Sequence, residues 1–370
     1  MIKFNKILVV GILVLFNYSC TEKGAPEQKI KPKNIILLIG DGMGVSQVSV
    51  SFYFNPDETN FKRFPSTGFI NTSSSSHKIT DSAAGATAFA SGVKTFNGAL
   101  GVDKEGVSKE TLLEIASNRK MKTGVVSTSS ITHATPAAFF SHVESRGMQE
   151  EIAEQLLNSE VDFFAGGGTK WIVNRSDNRN LYNNFVSQGF VMDTLNLASG
   201  GLDPGSKYGF LLSPDGMPAA NKNRGDFLPE ATNLAVDYLK HCKDGFFLAV
   251  EGSQIDWAGH GNEIEYMIAE MIDFDKAIGS ALDFAEEDGN TLVIVTGDHE
   301  TGGMALSPKV IQDGEKEYSD YNQPDLTFAT GGHTTTLIPV FAYGPGSDEF
   351  NGVYENNEIF HKILKVTGWQ

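Results

Sequence analysis

The sequence predicts an α/β fold: a three-layer sandwich with a mostly parallel central sheet, helices on both faces and a small irregular insertion. Three observations lead there. Six short, nearly continuous apolar runs recur along the chain, which is the pattern of strands buried on both faces. Helical periods lie between them, and strands alternating with helices specify a parallel sheet. The composition is globular, with 370 residues, 40 % apolar and 20 % charged. It excludes a disordered tail, a collagen-like fibre and a disulfide-stapled mini-protein.

Residues 1–20 read as a targeting segment. Lys3 and Lys6 precede an apolar run from Ile7 to Phe16, a signal-peptide core too short to span a bilayer. Asn17-Tyr18-Ser19-Cys20 follows. A small residue before a cysteine resembles a bacterial lipobox, although Asn17 stands where Leu is usual. An ordinary secretory signal is the alternative. Residues 21–33 are polar with two prolines and suit a flexible tether. The expectation is export to the periplasm or cell surface, with membrane contact only through a lipid on Cys20. Cys242 is then an unpaired thiol near a helix end.

The folded domain is expected over 34–370. Its first run, Asn34 to Ile39, ends at Gly40-Asp41-Gly42. The others are 123–128, 162–165, 245–250, 291–296 and 338–343. Helical periods fall at 82–91, 109–119, 149–158, 229–241 and 262–287. The stretch 166–227 is rich in Asn, Asp, Ser and Gly, breaks this rhythm and reads as an insertion packed on the main domain.

Charge narrows the partners. The formal net charge is −17, from 46 acidic and 29 basic residues. Phosphate-backbone contacts need a basic surface, so no nucleic-acid binding surface is expected. A small anion remains compatible where bound cations supply positive charge.

In open α/β sheets, ligands bind beyond the carboxyl ends of the strands. Asp41, Glu251 and the pair Asp298-His299 each follow an apolar run. One such carboxylate is ordinary turn chemistry, but three would converge on one edge. Asp256 and His260 lie four residues apart. A helical turn would put them on one face. Gly259 and Gly261 argue instead for a tight turn into the next helix, with Asn262 and Glu265 as a capping box. His333 follows Gly331-Gly332. A lone histidine is usually structural. Together, Asp41, Asp256, His260, Asp298, His299 and His333 supply ligands for two adjacent metals, with zinc suited to histidine and zinc or magnesium to carboxylate. Ser82 opens a helix of small residues, where free backbone amides favour negative charge. A nearby metal would make its hydroxyl a nucleophile. The ordinary alternative is that Asp81 or Ser82 is a plain helix cap.

Several ordered stretches carry a resemblance over nearly all of 34–370. They are Ile39-Gly40-Asp41-Gly42-Met43-Gly44, Thr80-Asp81-Ser82-Ala83, the run from Gly92 to Asp103, Thr135-Pro136-Ala137-Ala138, Ser145-Arg146, Glu251 to Asp256, Asp298 to Gly303 and Gly332-His333-Thr334. The sequence resembles the alkaline phosphatases. The resemblance implies phosphate-monoester hydrolysis with Ser82 as nucleophile, through a phosphoserine. It implies one zinc on Asp256, His260 and His333, and a second on Asp41, Asp298 and His299. It also implies a third metal, usually magnesium, on Asp41, Thr135 and Glu251, with Arg146 holding two phosphoryl oxygens. Two metals about 4 Å apart stabilise both the attacking and the leaving oxygen of an in-line displacement. Arginine's planar fork matches a phosphoryl group.

Two positions depart from the best-known bacterial pattern. His133 replaces an acid, where it could ligate the third metal or stand behind its ligands. Trp257 replaces a lysine beside the substrate phosphate. Many members of the family are homodimers, and no segment of this chain is identifiable as that interface. A phosphodiesterase or sulfatase of the same superfamily is the nearest competing reading. A non-catalytic metal-binding surface lipoprotein is a second, and it would not need Ser82 and Arg146 beside the ligands.

Overall fold

A computed structural model describes residues 30–369. The export signal, Cys20 and most of the 21–33 tether lie outside the described residues. In chain order the elements are β1 (Asn34–Gly40), α1 (Val45–Tyr53), β2 (Ser66–Asn71), α2 (Ser82–Ser91), α3 (Leu112–Asn118), β3 (Lys122–Ser130), α4 (Ala134–Ala137), α5 (Gln149–Leu157) and β4 (Phe163–Gly167). Then come α6 (Thr169–Ile172), α7 (Tyr182–Ser187), β5 (Phe190–Asp193), β6 (Lys207–Leu211), α8 (Phe227–Leu239), β7 (Phe246–Gly252), α9 (Gln254–Gly261), α10 (Ile264–Asp288) and β8 (Thr291–Gly297). The chain closes with β9 (Glu300–Thr301), β10 (Met304–Asp313), β11 (Lys316–Phe328), β12 (His333–Thr334), β13 (Ile338–Tyr343), β14 (Gly352–Glu355) and α11 (Glu358–Thr367).

Ten strands form one sheet in the order β14-β2-β13-β8-β1-β7-β3-β4-β6-β5. Strand β13 runs antiparallel to both β2 and β8, and the other pairings are parallel. The expected architecture therefore holds. Alternation along β1 explains why its apolar run is unbroken. Ile35, Leu37 and Ile39 enter the core beneath α2, α3, α4, α5 and α11, while Ile36 and Leu38 enter the one beneath α1, α8, α9 and α10. A strand with a helical layer on each face has no solvent side to carry polar residues.

Two expectations change here, and one further element, a hairpin, joins the expected ones. The 166–227 stretch is not merely irregular, because β5 and β6 extend the main sheet in parallel beyond β4. These strands have four and five residues, too short to show a period. Asn262 and Glu265 form no capping box. Glu263 precedes α10 without a side-chain cap, and Asn262 ends α9 in the left-handed region at φ 53°, which Asn tolerates better than most residues. Finally, β10 and β11 form a long antiparallel hairpin that leaves the domain between β9 and β12. Among the described residues, no helix is long and apolar enough to cross a membrane. Cys242 is a free thiol, half-buried, directed at Lys120 O at 3.4 Å.

Candidate active site

Strand register assembles the site. Gly40 pairs with Gly252 on one side and Gly297 on the other. Asp41, Ser253 and Asp298 therefore emerge one residue past a row of three glycines, and Glu251 lies one residue before it. The row must be glycine where the turn after β1 folds back. A Cβ on Gly297 would stand 2.3 Å from Met43 O.

Each carboxylate is held by one oxygen. Asp298 Oδ1 accepts from the N–H groups of Gly42 (3.1 Å) and His299 (2.9 Å), and Oδ2 is buried without a hydrogen-bond partner. Asp41 Oδ2 and Glu251 Oε1 are likewise buried and unpartnered. Asp256 and His260 lie on α9, so the tight turn expected from Gly259 and Gly261 is instead a helix. Spacing of four puts them on one face, with Asp256 Oδ2 and His260 Nε2 3.4 Å apart.

Three histidines have their tautomers fixed from behind. His260 Nδ1 lies 2.7 Å from Gly331 O, and His333 Nδ1 lies 2.9 Å from Thr80 O. A carbonyl only accepts, so both Nδ1 atoms carry the proton and both Nε2 lone pairs face forward. Those Nε2 atoms are 3.2 Å apart. Thr301 Oγ1 donates to Asp256 Oδ1 at 2.5 Å and therefore accepts from His299 Nδ1, at 3.2 Å. His299 Nε2 is then a bare lone pair, 3.4 Å from Asp41 Oδ1 and 3.3 Å from Asp298 Oδ2. Lone pairs and carboxylate oxygens that converge with no proton between them are the donor set of a cation.

Three clusters of ligand atoms result: Asp256, His260 and His333; Asp41, Asp256 and His299; and Asp41, His133 and Glu251. Asp41 joins the last two and Asp256 the first two. In the third, Thr135 Oγ1 and His133 Nδ1 are also buried and unpartnered. His133 Nε2 meets Arg146 Nη2 at 3.2 Å. Guanidinium only donates, so Nε2 accepts and the ring proton sits on Nδ1.

Ser82 is the first residue of α2. Asp81 caps that helix, accepting from Ala84 N at 3.1 Å. Small residues let α2 approach β8, and a Cβ on Gly85 would already lie 3.0 Å from Asp298 Cβ. Ser82 Oγ thus reaches 3.3 Å from His299 Nε2 and 3.4 Å from Asp41 Oδ1. The plain-cap role falls to Asp81, which frees the serine hydroxyl. Arg146 leans over this point from the loop after α4, with Nη1 3.3 Å from Asp81 Oδ2. Trp257 presents its ring edge-on to His133, with centroids 6.1 Å apart.

Electrostatics follow from burial. Burial, then repulsion from Asp298, Asp256 and Glu251, pushes Asp41 well above the usual carboxylate range. Burial, then Asp256, pushes Asp298 up to about 7. Burial also raises Glu251, against the pull of the Ser127 and Ser253 hydroxyls. His299 is lowered to about 3 by burial and His333, and His133 to about 3 by burial and Arg146. Buried acids that resist ionising beside neutral imidazoles are a cluster that lacks positive charge.

The family model for alkaline phosphatase matches residues 32–325. The chain belongs to the alkaline phosphatase family. Alkaline phosphatase 3 of Bacillus subtilis is 34 % identical, covering 98 % of this chain and 97 % of its own. The alkaline phosphatase of Escherichia coli is 31 % identical, covering 91 % and 86 %. The solved alkaline phosphatase of the Antarctic bacterium TAB5 is 53 % identical, with a TM-score of 0.90, covering 93 % of this chain and all of that one. A variant of it with aspartate in place of one histidine has Mg bound in its M3 site. Family membership makes this chain a metal-dependent phosphomonoesterase.

The structure brings all twelve residues expected from the sequence to one edge of the sheet. Sequence reading gave no role to Thr301, Ser127, Ser129 or Ser253, which bind the ligands from behind. It also missed Glu300, whose carboxylate joins Gln47 Nε2 (2.9 Å) to Met304 N (3.0 Å). A signal existed for the serines: Ser127 and Ser129 sit two apart directly after Val125-Val126, and a polar pair on one face of a buried strand is informative.

Proposed function

We propose that the chain hydrolyses phosphate monoesters through a phosphoserine at Ser82, with two zinc ions and a third cation, magnesium. The observation that carries this is the approach of Ser82 Oγ to His299 Nε2 and Asp41 Oδ1, within 3.4 Å of each. The first zinc would be held by Asp256, His260 and His333, and the second by Asp41, Asp298 and His299. Magnesium would be held by Asp41, Glu251 and Thr135, with His133 beside it. When bound, these cations supply the charge that makes a serine alkoxide and stabilises the leaving oxygen.

The chain's own groups do the rest. Arg146 receives two phosphoryl oxygens in its fork and is already turned toward the site by Asp81 and His133. The free amides of the first turn of α2 face the developing negative charge. Ser82 Oγ, its proton given up to solvent, attacks phosphorus; the Oγ–P bond forms, the bond to the ester oxygen breaks, and that oxygen takes a proton from water and leaves as the alcohol. Water then attacks the phosphoserine, the Oγ–P bond breaks, and inorganic phosphate leaves. Arg146 favours a doubly charged monoester over a diester or a sulfate ester.

The test is p-nitrophenyl phosphate hydrolysis at alkaline pH for the parent and Ser82→Ala, before and after chelation and with zinc and magnesium add-back. The expected loss is at least about a thousandfold for Ser82→Ala, and chelated parent recovers with zinc. Activity that survives in Ser82→Ala would overturn the phosphoserine route. Higher turnover of a diester or sulfate ester would favour the other superfamily activities.

We also infer export, from the charged and apolar pattern that ends at Cys20, with a lipid on Cys20 anchoring the domain through residues 21–33. Mass analysis of the mature N-terminus tests it, and an unprocessed Met1 would refute it. A homodimer is the assembly proposed from the family, and light scattering tests it.

A further inference from the structure

Glu251 is bound on one side by three hydroxyls. Its Oε2 accepts from Ser127 Oγ and Ser253 Oγ, each at 2.5 Å, and from Ser129 Oγ at 3.2 Å. The hydroxyls also touch one another: Ser127 Oγ is 2.8 Å from Ser129 Oγ and 2.9 Å from Ser253 Oγ. All three serines and Glu251 are buried. Register builds the arrangement. Strand β3 pairs with β7 so that Ser127 lies opposite Glu251, Ser129 follows on the same face, and Ser253 comes two residues after the carboxylate.

The consequence is asymmetric. Oε2 is saturated, while Oε1 is buried with no hydrogen-bond partner, beside Asp41 and His133. Hydroxyls that donate to one oxygen of a carboxylate anchor that oxygen. They also fix its rotation, so a single oxygen points forward. We propose that Ser127, Ser129 and Ser253 are positioning residues that hold Glu251 in one rotation with a single oxygen forward, and so set the magnesium affinity of the third cation site. Magnesium needs hard oxygen ligands in strict geometry and keeps several waters. A carboxylate free to turn would present both oxygens and crowd those waters. His133 Nε2 is taken by Arg146 and its Nδ1 carries the proton, so the hard oxygens of Asp41, Thr135 and the cradled Glu251 are what suit the site to magnesium.

This rests on the three-cation reading above, and the experiment separates the two. Zinc-loaded protein is titrated with magnesium by calorimetry and by equilibrium dialysis with elemental analysis. The variants are Ser253→Ala, Ser127→Ala and Ser253→Thr. Ser253→Ala is the cleanest, because Ser127 Oγ also accepts from Ser129 N (2.9 Å). The expected result is a magnesium Kd raised about 10- to 100-fold in both alanine variants, two zinc ions per chain throughout, and recovery in Ser253→Thr, which keeps the hydroxyl. Unchanged magnesium affinity in both folded alanine variants would overturn the proposal. A parent that binds two zinc ions and no magnesium would overturn the third-cation reading instead.

Discussion

Asp81 is shared between helix α2 and Arg146. Its Oδ1 accepts from Ala84 N at 3.1 Å and its Oδ2 from Arg146 Nη1 at 3.3 Å. One carboxylate thus sets both the start of the nucleophile's helix and the angle of the phosphate-binding fork. Asp81→Ala is expected to lose a helix cap, about 1 kcal/mol, and to loosen Arg146. The melting temperature falls by a few degrees, and the inhibition constant for inorganic phosphate rises. A lower melting temperature with unchanged phosphate inhibition would separate the two roles and refute the second.

Thr301 couples two metal clusters, because its hydroxyl bonds both Asp256 and His299. Thr301→Val removes the hydroxyl at nearly constant volume. Zinc affinity, measured by competition with a chromogenic chelator, should fall about 10- to 100-fold, and Thr301→Ser should restore it. Equal affinity in the valine variant would show that backbone register alone orients these ligands.

Trp257 stands beside His133, and no lysine or arginine other than Arg146 is among the expected substrate-binding residues. Trp257→Lys adds a cation near the phosphoryl position. Product phosphate should be retained about tenfold more tightly, the equivalent of roughly 1.4 kcal/mol. Steady-state inhibition by phosphate reads this directly, and equal inhibition constants would refute it.

Chelation should destabilise the protein, and more so at higher pH. In the metal-free site burial pushes Asp298 from the ordinary 3.8 up to about 7, and burial raises Asp41 as well. Folded values above unfolded ones mean stability that is present at low pH and lost as pH rises through the folded value. Bound cations remove that loss by favouring the carboxylates. The gap in melting temperature between metal-loaded and chelated protein should therefore be wider at pH 8.5 than at pH 5.5. A gap independent of pH would contradict the charge assignment.

His142 provides a pH response away from the metals. Its Nε2 lies 3.0 Å from Glu114 Oε1 and its Nδ1 2.7 Å from Gly101 O. The Glu114 carboxylate raises the imidazole above its ordinary 6.5. The contribution of the charged pair is then fully present below pH 6.5 and is lost as pH rises through the folded value. The melting difference between the parent and His142→Ala should be larger at pH 6 than at pH 9, measured with the same metal content.

The sequence was legible where chemistry and burial reinforce each other. Unbroken apolar runs such as Ile35 to Ile39, short and ended by Gly40-Asp41-Gly42, read as strands covered on both faces, and their ends bring Asp41, Glu251 and Asp298 together. It was illegible where ordinary residues act through geometry. Thr301 and Ser253 look like turn residues until register puts them behind a ligand. The glycines of α9 hid a helix, because the contacts of Gly259 with Thr301, which leave no room for a Cβ, outweigh glycine's poor helix propensity. The hairpin of β10 and β11 is mostly exposed and polar, so no buried face imposed a period. Its Asp313-Gly314 turn, with Gly314 at φ 64°, was the local signal available.

The ligands come from chain positions that span most of the sequence, from Asp41 after the first strand to His333 after the hairpin. No fragment shorter than that interval holds a complete site. Two of the three clusters have all their residues by position 299, but the cluster of Asp256, His260 and His333 cannot form until residue 333 is present and the β9–β12 pairing has closed. Filling of that cluster, rather than of the other two, can serve as a clock for when the whole chain has become native.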